Sequence, residues 1–131
     1  MVFHLQLAGY ILLLLSLIHV AFPSYFRWKA ELKDLSLINR QIMYVHTFFL
    51  AFIVLQMGLL CILCSHELIY TSLGKKISLG LSTFWFLRLL FQFFIYSPQL
   101  WKGKRFETGV HILFIVLWTY FSTLFFLAYI S

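Results

Sequence analysis

The 131-residue sequence predicts an all-α integral membrane protein whose four transmembrane helices form an up-down bundle. Two observations predict this class. The chain is 63% hydrophobic and only 11% charged, whereas an ordinary soluble domain carries about 25% charged residues. It also contains four long apolar stretches, each of about the 20 residues that a helix needs to cross ~30 Å of hydrocarbon. A soluble chain of this length leaves too much surface in water to hide that apolar content.

The apolar stretches set the boundaries of the predicted elements. The spans are expected at residues 3–22, 39–63, 77–96 and 108–130, and the loops at residues 23–38, 64–76 and 97–107. Together they form one membrane domain, residues 1–131. The first basic residue, Arg27, follows the first apolar run instead of preceding it. We therefore expect a retained first span and no cleaved signal peptide.

Local signals define the ends of these elements. Pro23 is expected to stop span one, because proline cannot continue a helix comfortably. Gly74 and Gly103 are expected to form turns in the second and third loops. Within span one, Gly9 and Ser16 lie on one helix face, where small residues let a neighbouring helix approach closely. In the first loop, the helical spacing of Trp28, Leu32 and Leu35 predicts a short helix in the plane of the lipid headgroups.

Basic residues predict the orientation of the spans. Seven of the ten lysines and arginines lie in or beside loops one and three, whereas loop two carries Lys75 and Lys76. The seven are Arg27, Lys29, Lys33, Arg40, Lys102, Lys104 and Arg105. The positive-inside rule places these loops in the cytoplasm, with both termini on the outer side of a bacterial inner membrane. The net charge of +6 then reflects topology, and we expect no nucleic-acid partner.

Each predicted span carries a polar side chain near its cytoplasmic end. These side chains are His19, His46, Gln92 and His111, with Arg88 one turn deeper than Gln92. Ionisable groups inside spans are costly and usually turn toward the bundle interior, where they find partners. We therefore expect all five to meet in one polar pocket. The faces expected to line it are His46, Ile53, Met57 and Cys64 on span two, Trp85, Arg88 and Gln92 on span three, and His111, Ile115, Trp118, Ser122 and Tyr129 on span four.

An internal repeat is consistent with this grouping. Val45-His46-x-x-Phe49 recurs as Val110-His111-x-x-Phe114, and Trp28-Lys29 recurs as Trp101-Lys102. Counting back nine residues from each tryptophan gives His19 in one half and Gln92 in the other. The halves run in the same direction, so this is a candidate parallel repeat about an axis along the membrane normal.

The pocket predicts one specific chemistry and leaves alternatives open. Two imidazoles from opposed helices can clamp a haem iron, so His46 and His111 are the predicted metal ligands of a haem b that serves electron transfer or haem-linked redox chemistry. His19 and Gln92 complete the site, and Arg88 pairs with a propionate. Three histidines could instead hold zinc or copper, or relay protons.

A second class of function needs no cofactor. The polar groups then only hydrogen-bond with one another across helices. The chain would be a non-catalytic accessory or assembly subunit of a larger membrane complex, or a homo-oligomer in the lipid bilayer. No motif assigns a reaction, so enzymatic activity stays open.

Cys61 and Cys64 form a CxxC pair at the outer end of span two. Such a pair does thiol–disulfide chemistry when a thiolate is stabilised and accessible. Here both residues lie among leucines and isoleucines with no cation nearby in the sequence. We therefore expect inert thiols.

The small size, the four spans and the histidines at span ends resemble the four-helix haem-binding protoporphyrinogen oxidases, which also pair membrane histidines with basic cytoplasmic loops. The resemblance does not extend to motifs. In this chain His19 stands at the end of the first span, and the residues that follow it, VAFPSYFRW, depart from that family's pattern. No catalytic residue is carried over.

Overall fold

A computed structural model of the chain describes residues 1–95 and 103–131. These residues form six helices and no strand. The helices are α1 (Val2–Tyr25), α2 (Trp28–Glu31), α3 (Leu37–Leu63), α4 (Ser65–Tyr70), α5 (Ser72–Phe94) and α6 (Arg105–Ile130). Four of them, α1, α3, α5 and α6, are long and apolar enough to cross a membrane, which confirms the all-helical class. Residues 2–65 and residues 66–131 form two compact units, each built on one antiparallel helix pair. The single bundle domain stays a prediction.

In the first hairpin, α1 packs against α3 at a point where neither helix carries a side chain. A Cβ atom added to Gly58 would stand 2.8 Å from the carbonyl oxygen of Gly9, and one added to Gly9 would stand 2.8 Å from that of Gly58. One helical heptad away, the Ser16 hydroxyl donates a 2.8 Å hydrogen bond to the carbonyl of Ala51 on α3. Gly9 and Ser16 therefore do face the neighbouring helix, as their spacing predicts.

The face of α3 that meets α1 differs from the one expected. Its buried residues are Ala51, Val54, Gly58 and Cys61, whereas Ile53 is exposed. Small side chains decide which face of α3 packs, because they allow the two backbones to approach closely. The predicted stripe through His46 is not the one that contacts α1.

In the second hairpin, α4 turns directly into α5. The Thr71 hydroxyl accepts a 2.9 Å hydrogen bond from the amide of Gly74 and so caps α5, while it donates to the carbonyl of Glu67. A Cβ atom on Gly74 would collide with that same carbonyl oxygen. The α5–α6 contact contains a second buried hydroxyl, since Ser82 donates to the carbonyl of Ser122 at 2.7 Å.

The structure corrects three predicted boundaries. Pro23 lies inside α1, which continues to Tyr25. Proline removes the N–H bond to the carbonyl four residues back and its ring crowds that carbonyl, but only two residues of α1 follow Pro23. Gly74 sits inside α5, so the expected turn in the second loop is wrong; residues 65–70 are the helix α4. Helix α6 begins at Arg105, three residues before predicted span four.

One other local expectation holds, and a second holds in part. Gly103 has a φ of 78°, which is the left-handed conformation that a turn glycine supplies. The short helix expected near Trp28 is confirmed in part: α2 begins there but ends at Glu31, so Leu32 and Leu35 lie outside it, and its place in the headgroup plane stays a prediction. The end of predicted span three at residue 96, the following part of the third loop, and the repeat residues Trp101 and Lys102 lie outside the described residues.

We predict that Gly58→Ala destabilises the protein by about 1–3 kcal/mol, because the new methyl group overpacks a backbone contact that cannot shift freely. Thermal unfolding in detergent, followed by circular dichroism, measures the change. Gly80→Ala is the matched control, since a Cβ atom at Gly80 in α5 meets nothing within 4 Å. It should be neutral or stabilising. Equal stability of the two variants would contradict the close contact.

Candidate functional site

The second hairpin contains a buried network of polar side chains, which we call the Gln92–His111–Trp118 network. Gln92 is 6%, His111 8% and Trp118 3% exposed. Gln92 lies on α5 seven residues after buried Trp85, and Trp118 lies seven residues after His111 on α6. This spacing keeps each pair on one face of its helix, so the antiparallel helices bring all of them into the α5–α6 contact.

The direction of the hydrogen bonds follows from their donors. Nε2 of Gln92 lies 2.8 Å from Nδ1 of His111, and the indole N–H of Trp118 donates to Oε1 of Gln92 at 3.4 Å. An indole nitrogen can only donate, so the amide oxygen of Gln92 faces Trp118 and its NH2 group faces His111. Nδ1 of His111 is therefore an acceptor. A neutral imidazole that accepts at Nδ1 carries its proton on Nε2.

This protonation bears directly on the haem hypothesis. A histidine that binds a metal through Nε2 needs a lone pair on that nitrogen and normally donates its Nδ1–H to a carbonyl or carboxylate. The network presents His111 with an NH2 donor at Nδ1 instead, so the described hydrogen bonds do not fit His111 as an Nε2 ligand. Ligation of haem b by His46 and His111 stays a prediction.

Aromatic rings and one cation surround the network. The ring of Trp118 stacks on Trp85 with centroids 4.8 Å apart and on Phe114 with centroids 5.3 Å apart. The guanidinium carbon of Arg88 lies 5.4 Å from the Trp118 ring centroid. Such a cation–π contact contributes about 0.5–2 kcal/mol, depending on how far the pair is desolvated. In the described residues, the indole N–H of Trp85 is the buried side-chain polar group that has no hydrogen-bond partner.

The two histidines of the first hairpin, His19 and His46, have different surroundings. Nδ1 of His19 lies 2.8 Å from the carbonyl of Leu15, one turn earlier in the same helix, so His19 donates to its own backbone. His46 is exposed and lies off the face of α3 that contacts α1. The two do not form a counterpart of the Gln92–His111 bond, although the repeat aligns them with it.

Of the five predicted pocket residues, the structure brings together three. Gln92 and His111 are hydrogen-bonded, and Arg88 reaches them through Trp118. His19 and His46 belong to the other hairpin, so a pocket of all five stays a prediction. Sequence reasoning placed Trp118 on the face of His111 but did not give its indole N–H a role. The signal was the spacing of seven residues between them.

Within residues 1–95 and 103–131, no three or more His, Cys, Asp or Glu side chains are grouped so as to hold a metal ion. The three-histidine zinc or copper site, whose members belong to both hairpins, stays a prediction. Cys61 and Cys64 are free thiols, and Cys61 is fully buried beside Gly9 in the α1–α3 contact. That burial agrees with an inert thiol, since thiol exchange needs access.

Comparison of the chain with known proteins gave no match to a family model, to a curated protein or to a solved structure. The interpretation of the site therefore rests on its own geometry.

We predict that Gln92→Leu lowers the free energy of unfolding by about 1–3 kcal/mol, because it leaves Nδ1 of His111 and the indole N–H of Trp118 buried without their partner. Thermal unfolding of the purified protein checks this. In the control, Thr119→Val removes a hydroxyl that bonds only to the carbonyl of Ile115 in its own helix, and a change within about 0.5 kcal/mol is expected. If Gln92→Leu were as stable as this control, the network would not join the helices.

Proposed function

We propose that this chain is a multi-pass membrane protein that acts as a non-catalytic accessory or assembly subunit, with its outward helix faces packed against the spans of a larger membrane complex. One observation carries the proposal. His111, the best-buried histidine of the predicted pocket, is hydrogen-bonded to Gln92 in a way that joins α5 to α6 and keeps a proton on Nε2.

Membrane insertion is supported by how the spans satisfy their polar groups. In hydrocarbon there is no water to complete a missing hydrogen bond, so polar groups must find partners within the protein. Ser16 donates to a carbonyl across the α1–α3 contact, and Ser82 donates to one across the α5–α6 contact. His19 uses a carbonyl of its own helix. Each hairpin is thus built as a helix pair that suits an apolar solvent.

A subunit role is supported by what these polar groups are engaged in. His111 bonds to Gln92, His19 bonds to its own backbone, and Arg88 lies over Trp118. The contacts of His111 and Arg88 join α5 to α6, and that of His19 lies within α1. The outward faces, by contrast, are apolar and rich in aromatic rings, such as those of Phe48 and Phe49 on α3. Large, rigid aromatic side chains of this kind are enriched where protein surfaces meet.

The basic residues support an orientation with both termini on the outer side of a bacterial inner membrane. Helices α3 and α6 begin beside Arg40 and Arg105, next to the most basic loops, whereas only Lys75 and Lys76 lie at the opposite end of the described spans. Positive charge flanking spans stays in the cytoplasm. Alkaline phosphatase fused to the C-terminus should then be active, and an inactive fusion would reverse the orientation.

Site-specific photo-cross-linking in native membranes tests the subunit role. A diazirine analogue of phenylalanine replaces Phe48, which is 62% exposed, or Phe121, which is fully buried. The analogue at position 48 is expected to capture another membrane protein, because a partner helix covers that face. At position 121 it should capture only this chain. Capture of lipid alone at position 48, or of a second copy of the chain, would overturn the accessory-subunit proposal.

Optical spectra of the same purified protein separate the proposal from the haem hypothesis. The protein made under haem-replete conditions is expected to be colourless. A Soret band that His46→Ala and His111→Ala each abolish, and that His66→Ala leaves in place, would contradict the structural role of His111 and establish a haem site.

A further inference from the structure

Arg88 is a cation within an apolar helix, and its donors have no acceptor in the described chain. It lies six residues before the end of α5, at a rise of about 9 Å from that end. Its side chain is half-buried, and its guanidinium rests over the ring of Trp118. Among residues 1–95 and 103–131, no carboxylate or carbonyl accepts a hydrogen bond from it.

The contact with Trp118 leaves the hydrogen-bonding capacity of Arg88 unused. A guanidinium carries five N–H donors in a rigid fork, and a ring face accepts none of them in the way that an oxygen does. The neighbouring amide oxygen of Gln92 already accepts from Trp118. The chain has four acidic residues, and none of them pairs with Arg88 in the described structure. Glu107, in the first turn of α6, is exposed.

A phosphate group meets these requirements. The planar fork of arginine matches phosphate oxygens with two parallel charge-assisted hydrogen bonds. Lys104 and Arg105 lie at the start of α6, at the same end of the hairpin. Phe84, one turn from Arg88 toward the middle of α5, is exposed and apolar, as the chains of a lipid would require.

We propose that Arg88, held over Trp118, binds the phosphate of a membrane phospholipid whose acyl chains lie along the exposed face of α5. This inference rests on the membrane insertion proposed above. Free inorganic phosphate shares the same chemistry, but only a lipid also covers Phe84.

The test is a binding titration of the delipidated full-length protein in detergent, read by native mass spectrometry. Phosphatidylglycerol is expected to bind, whereas diacylglycerol with the same acyl chains is not. Arg88→Gln should weaken phosphatidylglycerol binding about tenfold or more, because a charge-assisted fork is lost. Lys75→Gln, at the opposite end of α5, is the matched control and should bind like the parent.

Equal affinity of the parent and Arg88→Gln, or equal binding of diacylglycerol, would overturn the proposal. So would displacement of the lipid by millimolar inorganic phosphate. If circular dichroism shows that Arg88→Gln has lost helix content, Arg88→Lys is measured instead, because lysine keeps the charge but lacks the planar fork. A several-fold weaker affinity of Arg88→Lys for phosphatidylglycerol supports the proposal. An unchanged affinity overturns it. If the protein crosses the membrane and is cross-linked to a partner, but its lipid binding does not depend on Arg88, this inference fails and the proposed function stands.

Discussion

A polar side chain on an apolar helix has to find its hydrogen-bond partner inside the protein, and both hairpins are arranged around that requirement. Ser16 and Ser82 each bond to a carbonyl of the facing helix, and Gln92 bonds to His111. These bonds need backbones that approach closely. The α1–α3 pair achieves this where Gly9 meets Gly58, so small residues set the distance and polar residues set the register.

The two hairpins answer the requirement in different ways. In α1–α3 the contact is made of small and aliphatic side chains, and the polar contribution is one hydroxyl bonded to the backbone. In α5–α6 the contact is aromatic, with Trp85 and Trp118 stacked at its centre. The amide of Gln92 then bonds to Nδ1 of His111 and to the indole N–H of Trp118. An aromatic contact brings N–H groups into an apolar region, and that is why a bridging amide is needed there.

Features that depend only on helical periodicity within one helix can be predicted from the sequence. Four apolar runs of sufficient length, the heptad from Gly9 to Ser16, and the inward face shared by Trp85 and Gln92 need only helical geometry. The pairing of Gln92 with His111 was expected within a larger group. Features that depend on a tertiary contact were not accessible. Gly74 is a turn residue by composition, yet in the structure it lets the carbonyl of Glu67 approach α5.

The position of His46 also depends on tertiary contacts that the sequence does not give. Reasoning from polarity placed it toward the interior of a four-helix bundle, and that stays a prediction. Within the first hairpin, the face of α3 that packs on α1 carries Ala51, Val54 and Gly58 instead. The distinction between a ligand and a helix-joining contact likewise depends on hydrogen-bond direction, which spacing alone does not give.

The Gln92–His111 bond, in which Nδ1 of His111 accepts and its proton stays on Nε2, joins α5 to α6 through polar side chains. Nitrogen-15 NMR of the histidine-labelled protein, at a pH where the imidazoles are neutral, reports the two ring nitrogens separately. A variant that lacks His111 identifies its signals. The structure predicts an unprotonated Nδ1 and a protonated Nε2. A protonated Nδ1 with a free lone pair on Nε2 would contradict the account and return His111 to the role of a metal ligand.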